Sequence, residues 1–270
     1  MTICYQVPAA LAEVYRGRQI IVRARETAEL TAALANTDRN DVAYVQWLAM
    51  PAGLESLTCW RDPIPLDLKL ARPAADYPLL YRGTALLEHR PVRVSLPVVP
   101  GFGRAVRLAV SLQFAVKLEL GQPDPALIGE LRQVLDRYLH QTTVAQPIEY
   151  FHSSLLALVH QCPASLWAIQ EEDPAAFRHV TDAGEETLPG RLAGVSAPGD
   201  PSVFLTTWRE ELLKTQGECA DCLFFDPCGG YFKWPDRAYR CAGVKTLFRT
   251  LHEAAAELRQ DLAAVGEPAP

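Results

Sequence analysis

Four of the chain's seven cysteines fall within 23 residues, Cys219, Cys222, Cys228 and Cys241, at the spacing C-x2-C-x5-C-x12-C. Cys219 and Cys222 are near enough for one ion or cluster to bridge both through a tight turn. Cys228 precedes Gly229-Gly230, where the absence of Cβ lets the backbone fold closely past a bound group. Cys241 arrives from a separate segment and closes a fourth corner. Thiolates bind zinc and iron–sulfur clusters alike, so four cysteines do not choose between them. Zinc ribbons pair two C-x2-C knuckles, whereas the second half here is C-x12-C, which favours iron. Phe224, Phe225, Tyr231, Phe232 and Trp234 are dense around the site. They form a small core and equally a water-excluding cover for a cluster.

The 270 residues are enough for one large domain, or for one domain with a small appendage. With 49% hydrophobic and 21% charged residues, the body has apolar surface to bury without help from a metal. A net charge of −6 and the absence of a Lys/Arg block argue against a nucleic-acid partner. No apolar run reaches the ~18 residues of a membrane span. Met1-Thr2-Ile3-Cys4-Tyr5 lacks the basic and apolar regions of a signal peptide. A cytoplasmic setting is expected, where clustered cysteines bind metal rather than form disulfides.

Upstream, strand and helix patterns alternate. Gln19–Ala24 reads as a strand, Ala28–Asn36 as a helix begun at Thr27, and Asp41–Leu48 as a second strand. That unit predicts a parallel crossover. Residues 66–70, 91–98 and 115–120 read as strands, and so do residues 165–170. Tyr77–His89 and Arg104–Phe114 read as helical. Asp124-Pro125 opens a helix to about His140, with Ile128, Leu131, Leu135 and Leu139 as its buried stripe. Further helices are predicted from Pro147 to about Gln161 and over Val244–Leu262. The expected fold is α/β with a mainly parallel sheet, as a partial or degenerate barrel or as an open sheet. A small C-terminal cysteine-rich, metal-binding subdomain completes it. The divisions are residues 1–181 for the α/β domain, 182–203 for a Gly/Pro/Ala/Asp-rich linker and 204–270 for the subdomain, with a frayed tail at 266–270.

The cysteine pattern resembles the auxiliary-cluster half of the SPASM domain, a C-terminal extension of many radical-SAM peptide and protein maturases. The resemblance covers residues 219–262, about a sixth of the chain. It implies a [4Fe-4S] cluster on Cys219, Cys222, Cys228 and Cys241. The family pattern carries a further cysteine where Phe232 stands here, so one auxiliary cluster at most is implied. The radical-SAM motif C-x3-C-x2-C is absent: Cys4, Cys59 and Cys162 are far apart in sequence. The chain is therefore not expected to generate an adenosyl radical by itself. The implied role is a subunit or degenerate relative of these maturases, acting by electron relay or by binding a protein or peptide partner. The alternatives are a zinc-stabilised interaction scaffold and an enzyme with its site near Glu149 and His152.

Glu149 and His152 form E-x-x-H on the predicted helix, a spacing that shares one face as in carboxylate-bridged di-iron helices. Only one copy is present, and capping and packing explain it equally. Pro100-Gly101-Phe102-Gly103-Arg104 turns from strand to helix and offers N–H groups to an anion. Cys59 beside Trp60 reads as a reactive thiol or a small core residue. The acidic run Glu171-Glu172-Asp173 reads as a cap or a solvated face.

Overall fold

The structure, a computed structural model, describes residues 2–50, 53–195 and 200–266. Residues 267–270 of the expected tail, 196–199 of the expected linker and 51–52 lie outside the described residues. Among the described residues, nine strands form one sheet: β1 (Cys4–Pro8), β2 (Gln19–Ala24), β3 (Val42–Trp47), β4 (Leu66–Lys69), β5 (Val92–Pro97), β6 (Ala115–Glu119), β7 (Ile148–Glu149), β8 (Phe177–Val180) and β9 (Glu186–Thr187). Their order is β7-β6-β5-β4-β3-β2-β1-β8-β9. Every pairing is parallel except β8 with β9. The fold is therefore α/β with a mostly parallel sheet, as the alternation predicted. Strands β1 to β7 lie side by side in chain order, and right-handed crossovers then carry the connecting helices to one face.

Among the described residues, six α-helices of nine residues or more accompany the sheet: α1 (Thr27–Ala35), α2 (Phe102–Ser111), α3 (Pro125–His140), α4 (Phe151–Val159), α5 (Phe204–Lys214) and α6 (Ala242–Val265), while Tyr77–Glu88 is a 3-10 helix. Asp124 caps α3 as expected, its carboxylate accepting from the Leu127 N–H at 2.8 Å. Thr27 does not cap α1; its hydroxyl instead bonds Ser56 at 2.6 Å. No helix among the described residues is long and apolar enough to cross a membrane.

The strand alternation gives the sheet two different faces. On one, Val22, Val45, Trp47, Leu66, Leu68, Val94, Leu96, Val116 and Leu118 are all at most 1% exposed and form the core. The other carries Arg23, Tyr44, Gln46, Asp67, Lys69, Arg93, Ser95, Lys117, Glu119 and Glu149. Register keeps these in neighbouring rows: Arg23 opposes Gln46, Gln46 opposes Asp67, Asp67 opposes Arg93, and Ser95, Lys117 and Glu149 follow. A parallel sheet covered on both faces ordinarily reads as unbroken apolar runs. Here the second face is polar and largely half-buried, with Asp67, Ser95 and Lys117 buried outright.

Residues 165–170 form a short helix, Leu166–Ile169, rather than a strand. Glu171 then turns with φ 61°, so its backbone cannot continue a pleat. The expected linker holds β9 and a 3-10 turn at Gly190–Leu192, with Leu188 and Leu192 buried.

Candidate metal centre

The cysteine segment is built from tight turns. The Cys222 N–H donates to Cys219 O at 3.3 Å, Phe225 to Cys222 O at 3.0 Å and Cys228 to Phe224 O at 3.1 Å. Gly229 and Gly230 have φ of 56° and 74°. A Cβ on Gly230 would stand 2.2 Å from Leu212, so both conformation and space require glycine there. Cys241 sits at the N-cap of α6, where the helix dipole favours a thiolate.

These turns bring Cys219, Cys222, Cys228 and Cys241 to line one small cavity of about 20 Å³. Phe224, Phe225, Val244 and Phe248 wall it, and Glu218, Lys233 and Lys245 complete it. Phe224 stacks on Phe248 at 5.5 Å. The N–H groups of Phe232, Tyr231 and Gly230 point at the Cys228 sulfur and favour its thiolate. Glu218 bridges the cations, accepting from Lys233 and Lys245 at 3.0 Å each and from the Cys241 N–H at 3.2 Å. Burial would raise its carboxyl, but these donors hold it down at about 2.

Burial dominates the thiols. It pushes Cys228 up to about 11 and Cys241 up to about 12, against an ordinary 9.0. Burial also raises Cys219 above its ordinary value. Among the described residues, no group of three or more His, Cys, Asp or Glu is arranged to hold a metal ion. The donor identities, the N–H donation to Cys228 and the flanking cations suit a four-thiolate group, while the positions of the thiols are not those of a bound metal. All seven cysteines are free of disulfides.

The raised thiols predict an alkaline weakness in the metal-free protein. A folded-state value above the unfolded one contributes stability below pH 9 that is lost as pH rises toward 11–12. For Cys228 alone, the rise from 9.0 to about 11 is about 3 kcal/mol. Urea midpoints of chelator-treated protein are expected to fall between pH 9 and 11, and a flat profile would refute this.

The subdomain is pinned to the C-terminal end of β6. Tyr231 donates to Leu120 O at 3.1 Å, Gln122 to Phe232 O at 2.9 Å, and Tyr239 to Pro123 O at 2.7 Å. Trp167 donates to Gly229 O at 3.0 Å. Arg191, from the expected linker, stacks 3.8 Å over the Tyr231 ring and donates to Trp234 O at 3.0 Å. It also pairs with Glu172 at 3.1 Å. That stretch is a strap across the cysteine segment rather than a passive spacer.

Glu149 and His152 engage different partners. Glu149 ends β7 and accepts from the Ser153 N–H at 3.2 Å, while His152 Nδ1 meets the Tyr138 hydroxyl at 2.7 Å. At the Gly101–Arg104 turn, the Gly103 N–H donates to Glu130 at 2.9 Å, so the anion there is the chain's own. Cys59 is exposed.

Sequence reasoning missed the centre of the polar face. Glu171 accepts from Tyr44 at 2.7 Å, from Lys117 at 2.6 Å and from Arg93 at 3.1 Å. Arg93 also reaches Asp67 at 3.1 Å, and Lys69 pairs with Glu119. Burial pushes both Asp67 and Glu171 up, yet Arg93 and Lys117 hold both below their ordinary values. No family model, curated protein or solved structure matches the chain.

Proposed function

We infer that the chain is an iron–sulfur protein that carries a [4Fe-4S] cluster on Cys219, Cys222, Cys228 and Cys241 and acts in peptide or protein modification. Its part is to relay electrons, or to hold a partner or peptide, for chemistry that another protein initiates. One observation carries this reading: four thiols from two segments line one small apolar-walled cavity, with N–H donors on one sulfur and lysines beside it. A cluster bound there supplies one-electron chemistry. The four cysteines would hold it, and Lys233 and Lys245 would offset thiolate charge. Phe224 and Phe248 would exclude water.

The sequential order of β1 to β7 supports a body related to a partial, degenerate barrel. The polar face of that sheet is filled by its own ion pairs around Glu171. Together with the missing C-x3-C-x2-C motif, this supports a chain that does not generate a radical itself. The subdomain sits at the C-terminal end of β6, the end where α/β sheets ordinarily place ligands. Cysteines free of disulfides support a cytoplasmic setting.

Anaerobic purification followed by iron and acid-labile sulfide analysis tests the reading. The expected protein is brown, with about four irons and four sulfides per chain. A colourless protein with one zinc per chain overturns it and leaves a zinc-stabilised interaction scaffold.

A further inference from the structure

Beside the thiol cavity lies a larger hollow of about 830 Å³, within the ~300–1,000 Å³ range of small-ligand sites. Ala157 and Leu158 of α4 line one side, and Ala168 and Ile169 of the short helix line another. Phe224 and Phe248 close the third and also wall the thiol cavity, so one stacked aromatic layer separates the two spaces. The alanines leave this volume unfilled between elements that are otherwise well packed.

The lining is mostly apolar, with one firm cation at its edge. The Arg209 guanidinium lies 5.1 Å over the Phe225 ring and pairs with Asp226 at 3.2 Å. The Asp226 side chain is 95% exposed, and Asp226 also lines the hollow. An ion pair so open to water is weak, so a carboxylate entering beside apolar walls can replace it at little cost. Such a replacement keeps the guanidinium over Phe225 and gives it a partner with two parallel acceptor oxygens.

We propose that this hollow binds an apolar group that ends in a carboxylate, with Arg209 as its anion-recognising residue. That chemistry is offered by the C-terminus of an apolar peptide or by a free apolar acid. The site goes beyond the iron–sulfur reading, because none of its parts is a thiolate ligand. Its occupant would lie against the Phe224–Phe248 layer, one ring thickness from the proposed cluster.

Cys162 is exposed and lines the hollow, which makes it a built-in reporter. Cys59 is exposed, is not part of the lining, and serves as the internal control. Iodoacetamide alkylation of both, followed by peptide-level mass spectrometry, is measured with three probes. These are acetyl-Leu-Leu-Phe with a free carboxylate, the same tripeptide as its amide, and decanoate. With the free acid at roughly ten times its Kd, Cys162 alkylation is expected to slow by about tenfold while Cys59 is unchanged. The amide is expected to give no protection.

Arg209→Met is expected to alkylate at the ordinary rate without probe and to lose protection by the acid. Ala168→Trp, at an exposed position, fills the hollow and is expected to remove the probe dependence. Protection by decanoate as well assigns the site to apolar acids in general, and protection by the tripeptide acid alone assigns it to peptide C-termini. Equal protection by acid and amide, protection by no probe, or protection that survives Arg209→Met overturns the proposal. Iron and sulfide measured on the same preparation show separately whether the cluster reading fails.

Discussion

Glu171→Ala is expected to destabilise the fold by about 3–5 kcal/mol, the cost of leaving a buried charge without its partner. Glu171 is the only ion-pair partner of Lys117 among the described residues, and the Lys117 side chain is 7% exposed. Arg93 would keep Asp67 but lose its second carboxylate. The Tyr44 hydroxyl would lose its acceptor as well. Replacing both members of the pair by apolar residues, as Glu171→Met with Lys117→Met, is expected to recover most of that loss, because no charge is then stranded. Urea unfolding of the two variants decides the matter. If the double variant is no more stable than Glu171→Ala, the stranded Lys117 charge is not the source of the loss.

The same cluster sets the acid limb of stability. Folding lowers the values of Glu171 and Asp67 below their ordinary 4.5 and 3.8. Their contribution is therefore present above those ordinary values and is lost as pH falls through the folded ones. Glu171→Ala should flatten that limb as well as lower the plateau. Cys228 acts at the opposite end of the scale, since burial raises its value and its contribution fades toward alkaline pH.

Much of the sheet was legible because β2 to β6 carry strong apolar alternation or branched runs between helix signals. The strands that went unread are short or charged. β7 has two residues, and β8 is Phe177-Arg178-His179-Val180. Glu171 was read as solvated because three consecutive acids ordinarily face water. Sequence spacing carries no sign that Lys117 and Arg93, on strands β6 and β5, converge on Glu171. One signal was present, however. Leu66-Asp67-Leu68-Lys69 and Val92-Arg93-Val94-Ser95 alternate with period two, which conflicts with a parallel sheet covered on both faces. Opposite charges at neighbouring register positions resolve that conflict. The cysteine site was legible as a set of residues, because its spacing is chemical. The Arg191 strap was not, since a Gly- and Pro-rich stretch gives no sign of what its one arginine will clasp.

Cys228→Ala is expected to lower bound iron from about four per chain to less than about one, while Cys162→Ala leaves it unchanged. Three features make Cys228 the most demanding position of the four. It is the sulfur at which the N–H groups of Gly230, Tyr231 and Phe232 point, so alanine removes a ligand and leaves three donors without an acceptor. Its N–H donates to Phe224 O, and the adjoining Phe225 N–H donates to Cys222 O, so consecutive turns link its position to that of Cys222. Its burial disfavours a free thiolate, so binding of a cation there must release a proton and strengthens as pH rises. Cys228→Ser preserves an acceptor for the N–H groups but offers a poor, harder ligand, and is expected to fold as the native chain does while binding little iron. Full iron retention in both variants would place the cluster elsewhere, whereas loss of iron in Cys228→Ser with unchanged urea stability of the metal-free form separates ligation from folding.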